Sequence, residues 1–69
     1  MTTPHLRRNM STHTWKEQVG GEVIIDVYDP YNLTFLRTEE GVLLKVFESS
    51  SAGFVVLDQP SGRHVYCVG

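Results

Sequence analysis

The sequence predicts an all-β (mainly β) fold: a five-stranded antiparallel meander forming a small barrel of SH3-like size or a strongly bent sheet. A short N-terminal helical turn and a mobile arm precede it. Three observations carry this expectation. From Glu22 onward, five apolar stretches rich in β-branched and aromatic residues follow one another: EVIIDVYD, LTFLRT, VLLKVFE, FVVLD and RHVYCV. Turn signals stand at their junctions, as DPYN, TEEG, SSSAG and QPSG. No apolar pattern with the helical period of 3.6 residues is sustained in this part of the chain. With 69 residues there is room for one domain, burying only about 60% of its unfolded surface.

Residues 1–13 contain few core-forming side chains and read as a flexible basic arm, leaving 14–69 as a single small β domain. Thr14 with Glu17 three positions on fits a capping box, so a helical turn is expected there. Trp15 and Val19 would share its inner face, and Gly20-Gly21 would end it. A helix this short is unstable in water, so its formation requires Trp15 to dock on the sheet.

Alternation assigns the strand faces. In the first strand Val23, Ile25 and Val27 point inward, with Glu22, Ile24, Asp26 and Tyr28 outward. In the second, Leu33 and Phe35 are expected inward, with Thr34, Leu36 and Thr38 outward. In the third, Val42, Leu44 and Val46 form the core face, against Leu43, Lys45 and Phe47. For the last hairpin, a three-residue Pro60-Ser61-Gly62 loop with a bulge sets Asp58 opposite His64, Leu57 opposite Val65 and Val55 opposite Cys67. The core face is then Val55, Leu57, Val65 and Cys67. The second face, with Phe54, Val56, Tyr66 and Val68, is also apolar. Either Trp15 and sheet curvature cover it, or it is a surface for a partner.

The net charge of −2 conceals an asymmetry. Residues 1–21 carry Arg7, Arg8 and Lys16 against Glu17, a balance of +2. Residues 22–69 carry Arg37, Lys45 and Arg63 against Glu22, Asp26, Asp29, Glu39, Glu40, Glu48 and Asp58, a balance of −4. An acidic body opposes binding of a phosphate backbone. The single cysteine, Cys67, excludes an internal disulfide and favours a reducing compartment. No apolar run reaches bilayer length and the leader has no apolar core of a signal peptide, so a cytoplasmic protein without a membrane partner is expected.

Catalytic constellations are thin. Cys67 and His64 lie three apart on one strand and therefore point to opposite faces. The expected Asp58–His64 pair has only Ser61 nearby as a nucleophile, and reads more simply as a polar cross-strand pair. His5, His13 and Cys67 do not have the local spacing of a zinc site, and no phosphate-cradling glycine loop is present. Neither an enzyme nor a cofactor or metal is expected.

The sequence is therefore read as a non-enzymatic module that binds another protein, as adaptor or inhibitor, while itself a monomer or weak homodimer. The expected contacts are Trp15, Tyr28, Tyr31, Phe47 and Tyr66, with Asp26, Asp29, Glu39 and Glu40 steering a basic partner surface. One alternative is nucleic-acid binding through Arg7, Arg8 and Lys16 with exposed aromatics for stacking. Another is a structural homo-oligomer paired through edge strands.

Overall fold

The computed structural model describes residues 2–49 and 51–69. It contains β1 (His5–Leu6), α1 (Thr12–Glu17), β2 (Glu22–Tyr28), β3 (Phe35–Ser49), β4 (Ala52–Gln59) and β5 (Gly62–Cys67). The strands form one sheet in the order β1-β2-β3-β4-β5. β1 pairs with β2 in parallel and the other neighbours are antiparallel. The fold is mainly β, as expected, but the sheet is mixed. It curls until β5 approaches β2, yet the strand order stays linear and the sheet does not close.

The leader, expected as a flexible arm, is docked on the sheet. His5 and Leu6 pair with Ile24 and Ile25, and the Leu6 side chain is 1% exposed in the core. A parallel neighbour needs a crossover of a dozen or more residues. Residues 7–21 provide it, with α1 inside. A single leucine among polar residues leaves no periodic trace in the sequence, which is why this segment reads as a free arm.

The helix starts earlier than the capping-box reading placed it. Ser11 is the N-cap, in extended conformation, and its Oγ accepts from the Thr14 backbone N–H at 3.3 Å. Thr12 Oγ1 donates to Glu48 Oε1 at 2.8 Å, tying α1 to β3. Trp15 is 4% exposed and belongs to the core, as the helix requires. Val19 does not share its environment: the helix has ended, and Val19 is exposed.

The strands expected on either side of TEEG are one strand. β3 runs through Thr38–Gly41 because its first part pairs with β2 and its second with β4, Val42 belonging to both ladders. Pairing of Glu39, Glu40 and Gly41 with Ile25, Ile24 and Val23 satisfies backbone groups that a turn would divert. Gly41 marks the crossing point. A Cβ there would lie 2.8 Å from the Asp58 carbonyl oxygen, so only glycine lets β4 approach this closely. The DPYN turn forms, but Leu33 sits beyond it with φ 58°, and the strand begins only at Phe35.

A bulge at Leu44 resets the alternation of β3. Leu43 pairs with Leu57 and Lys45 with Val56, so Leu44 has no partner. Leu43, expected on the outer face, is fully buried, and Val46 packs against the same core. Beyond Ser49, the expected SSSAG loop includes Ser50, which lies outside the described residues; Ser49 and Ala52 already pair.

The last hairpin is slipped by one residue from the expected register. Gln59 opposes Gly62, Asp58 opposes Arg63, Leu57 opposes His64, Val55 opposes Tyr66 and Phe54 opposes Cys67. The loop is only Pro60-Ser61, with Gly62 at φ 125°. A one-residue slip moves every β5 side chain to the other face. Val65, expected in the core, is 59% exposed, while Tyr66 packs against the core. Val68, expected on the second face, is buried in the core and its N–H donates to the Gly53 carbonyl at 2.9 Å.

Candidate interaction surface

Cross-strand partners share a face and alternate residues change face, so the register defines the outer surface. β2 contributes Glu22, Ile24 and Asp26, and β3 contributes Thr38, Glu40, Val42, Lys45 and Phe47. β4 adds Phe54, Val56 and Asp58, and β5 adds Arg63, Val65 and Cys67. Two adjacent rungs of this surface are largely apolar, one across all three strands and the next across β4 and β5. One is Phe47–Phe54–Cys67, with the phenylalanine rings stacked at 5.5 Å. The next is Lys45–Val56–Val65, where the Lys45 ammonium lies 5.8 Å from the Phe47 ring centre. Phe47, Phe54 and Val56 are half-buried by their neighbours, and Val65 stands clear.

At the seam between β5 and the β2–β3 hairpin lies an open groove of ≈ 270 Å³, lined in part by Tyr28, Pro30, Leu36, Phe54, Val65 and Cys67. Leu36 and Phe35 are half-exposed at its margin. Leu36 is there because the ladder steps from Val27–Arg37 to Tyr28–Phe35, leaving it unpaired in a bulge. Cys67 is a free, buried thiol at this seam rather than part of the aliphatic core.

Beside the groove, Tyr31 is 97% exposed at the tip of a braced loop. Asp29 Oδ1 accepts from the backbone N–H of Tyr31 at 2.8 Å and of Asn32 at 3.4 Å. Asn32 Oδ1 accepts from Thr34 N–H and Oγ1 at 3.1 and 2.7 Å. Asp29 is therefore a loop brace more than a steering charge.

The other expected contacts separate. Trp15 is inside the core. Tyr28 packs edge-on against Phe35 at 6.0 Å and lies under the Arg8 guanidinium at 5.3 Å. Tyr66 and Glu39 face the opposite side of the sheet from the apolar rungs, in a polar network at the core rim. There the Tyr66 hydroxyl donates to Gln59 Oε1 at 2.6 Å, and Gln59 Nε2 donates to Glu39 Oε1 at 3.1 Å. Arg37 Nε donates to Glu39 Oε2 at 2.7 Å and its guanidinium lies 5.9 Å from the Tyr66 ring centre. The Arg37 and Gln59 hydrogen bonds hold the Glu39 carboxyl below the usual carboxylate range. The Glu39 hydrogen bond in turn raises Arg37. Asp26 receives His5 Nε2 at 2.6 Å, which pins β1 to β2. Glu40 is exposed on the outer face.

Of the cations named for nucleic acid, Arg7, Arg8 and Lys16 are all exposed, and the Arg8 guanidinium lies over the Tyr28 ring. Asp58, expected opposite His64 as a polar cross-strand pair, opposes Arg63 instead; His64 Nε2 lies 3.0 Å from Ser61 Oγ on an exposed turn. Among the described residues no three His, Cys, Asp or Glu side chains converge to hold a metal ion. No helix among them is long and apolar enough to cross a membrane.

Leu36 is outward, as the alternation predicts, whereas Val65 and Phe35, both expected inward, are exposed. The register slip moves Val65 outward, and the bulge at the start of β3 moves Phe35. No protein-family model, curated protein or solved structure matches the chain.

Proposed function

We propose that this chain is a non-enzymatic β module that binds another protein through the outer face of its β3–β4–β5 sheet. One observation carries the reading: the apolar rungs around Phe47, Phe54, Val56 and Val65 run into the groove edged by Leu36, and among the described residues Val65 and Leu36 stand exposed beside the half-buried Phe47, Phe54 and Val56. A domain this small gains stability by burying every large apolar side chain available to it, so a surface that leaves them together in water fits a docking role. They stand on hydrogen-bonded, paired strands, so little backbone ordering is needed on binding. Tyr31, held by Asp29, adds an aromatic anchor at one end of the same surface.

The test is site-specific photo-crosslinking in the cells of origin, with the photoreactive residue at position 65 or, as control, at exposed position 19. A protein adduct at 65, absent at 19 and lost in a Phe47→Ser/Val56→Ser background that still folds, supports the reading. Equal adducts at both positions, or none at 65, refutes it.

A further inference from the structure

We infer that the partner presented to this face is a basic protein segment, with lysine or arginine side chains beside apolar ones. The inference rests on the docking role proposed for the outer face and adds the chemistry of its occupant.

The apolar rungs end at a band of carboxylates. Glu22 and Asp58 lie on either side of Val42, on the two strands that flank it, and Glu40 precedes Val42 by two on the same face. No two of these carboxylates are directly opposite one another, but all three stand at exposed positions of one face within two adjacent rungs. Among the described residues none of the three carboxylates forms an ion pair: the pairs present are His5–Asp26, His13–Glu17 and Arg37–Glu39. Arg63 sits across from Asp58 but makes no ion pair with it, and Lys45 leans over Phe47. The acidic band is therefore electrostatically open toward solvent. It borders the apolar rungs directly, so a partner covering one necessarily meets the other.

Charge complementarity selects among occupants. A nucleic acid or an anionic lipid surface would be repelled by the band. A segment with apolar residues flanked by cations neutralises it while burying Val56, Val65 and Phe47. Rim charges of this kind govern association rate and discrimination between partners more than total affinity.

The experiment uses the full chain, isotopically labelled, titrated with two synthetic amphipathic peptides that share one leucine face. One carries lysine on its polar face and the other glutamate. The expected result is saturable shifts of the Glu22, Glu40, Val42, Asp58 and Val65 amide resonances with the lysine peptide, weakening as salt is added. Glu22→Gln, Glu40→Gln and Asp58→Asn should each weaken binding about two- to five-fold, as for exposed charge pairs. Each variant's amide spectrum confirms that it remains folded. Equal binding of both peptides on this face, with all three variants at wild-type affinity, overturns the charge selection while leaving the docking face intact. No shift on the outer face overturns the inference, and a crosslink at position 65 then shows that the docking role survives without it. A dimer formed through this face in sedimentation, before any peptide is added, overturns it as well, because the occupant is then a second copy.

Discussion

Leu6→Ala tests the least expected feature of the fold, the docking of the leader as a parallel strand. The side chain is 1% exposed and sits in a cluster with Val23, Ile25 and Trp15 among others. Removing a buried leucine side chain typically costs about 2–5 kcal/mol, depending on how far the site can collapse. Here β1 has only two residues and lies at the sheet edge, so the leader can undock as a unit and regain its chain entropy. That relief places the expected loss near the lower end, about 2–3 kcal/mol. A domain of this size holds only about 3–5 kcal/mol in total, so the variant should be close to half-unfolded in mild urea. The assay is urea unfolding followed by Trp15 fluorescence, since Trp15 shares the cluster and reports its exposure. Arg7→Ala, at an exposed neighbouring position, serves as the control and should leave the midpoint nearly unchanged. A Leu6→Ala midpoint equal to wild type would refute the docked strand and restore the free-arm reading of residues 1–13.

Three further outcomes are expected. Gly41→Ala should destabilise by about 1–3 kcal/mol, as overpacking does, because the added methyl meets a backbone carbonyl at 2.8 Å; a wild-type urea midpoint would show that β4 can retreat freely. Leu43→Ala should cost about 2–5 kcal/mol and Leu44→Ala distinctly less, since only Leu43 is fully buried; the reverse order would displace the bulge. Glu39 has a lowered pKa when folded, so its contribution is present above the ordinary carboxylate pKa and is lost as pH falls through the folded value. Glu39→Gln should therefore flatten the decline of stability in the acid range below about pH 4.3, as read by urea midpoints across pH; an unchanged slope would mean that the Arg37 and Gln59 contacts are not kept in solution.

What was legible in the sequence is the chemistry of each strand; what was not is the phase between strands. β2 was read correctly on both faces because its alternation is uninterrupted from Glu22 to Tyr28 and its core residues are all β-branched. β3 defeated the same reasoning twice. Its bulges at Leu36 and Leu44 each insert one unpaired residue, and an extra residue leaves no mark in composition. TEEG has the residues of a turn, yet ladder pairing on both sides outweighs a local preference. The leader was illegible for a different reason. Leu6 reaches the core through a pairing with Ile25, and a contact between residues so far apart in sequence has no local signature.

The closing hairpin shows how much rests on phase alone. Both candidate registers use Pro60 and Ser61 in the turn, and both place an apolar residue opposite another. Turn chemistry alone therefore does not choose between a two- and a three-residue loop. The choice is made elsewhere, where Tyr66 on the core side can bond Gln59 and lie beside Arg37. In the expected register Tyr66 would be on the outer face and its hydroxyl would leave that network, while Val65 would fill the core. The observed register accepts an exposed valine in return for a satisfied polar rim that joins β3, β4 and β5. That exchange also creates the outer apolar rungs, since Val65 becomes the neighbour of Val56. Tyr66→Phe separates the two consequences. Loss of the hydroxyl should weaken the rim by about 0.5–1.5 kcal/mol, the net worth of one hydrogen bond, yet leave the outer face and its crosslinking at position 65 unchanged. If Tyr66→Phe instead abolishes the crosslink while the protein remains folded, the rim and the outer face are coupled through the register, and binding is set by the hairpin's phase as well as by its surface.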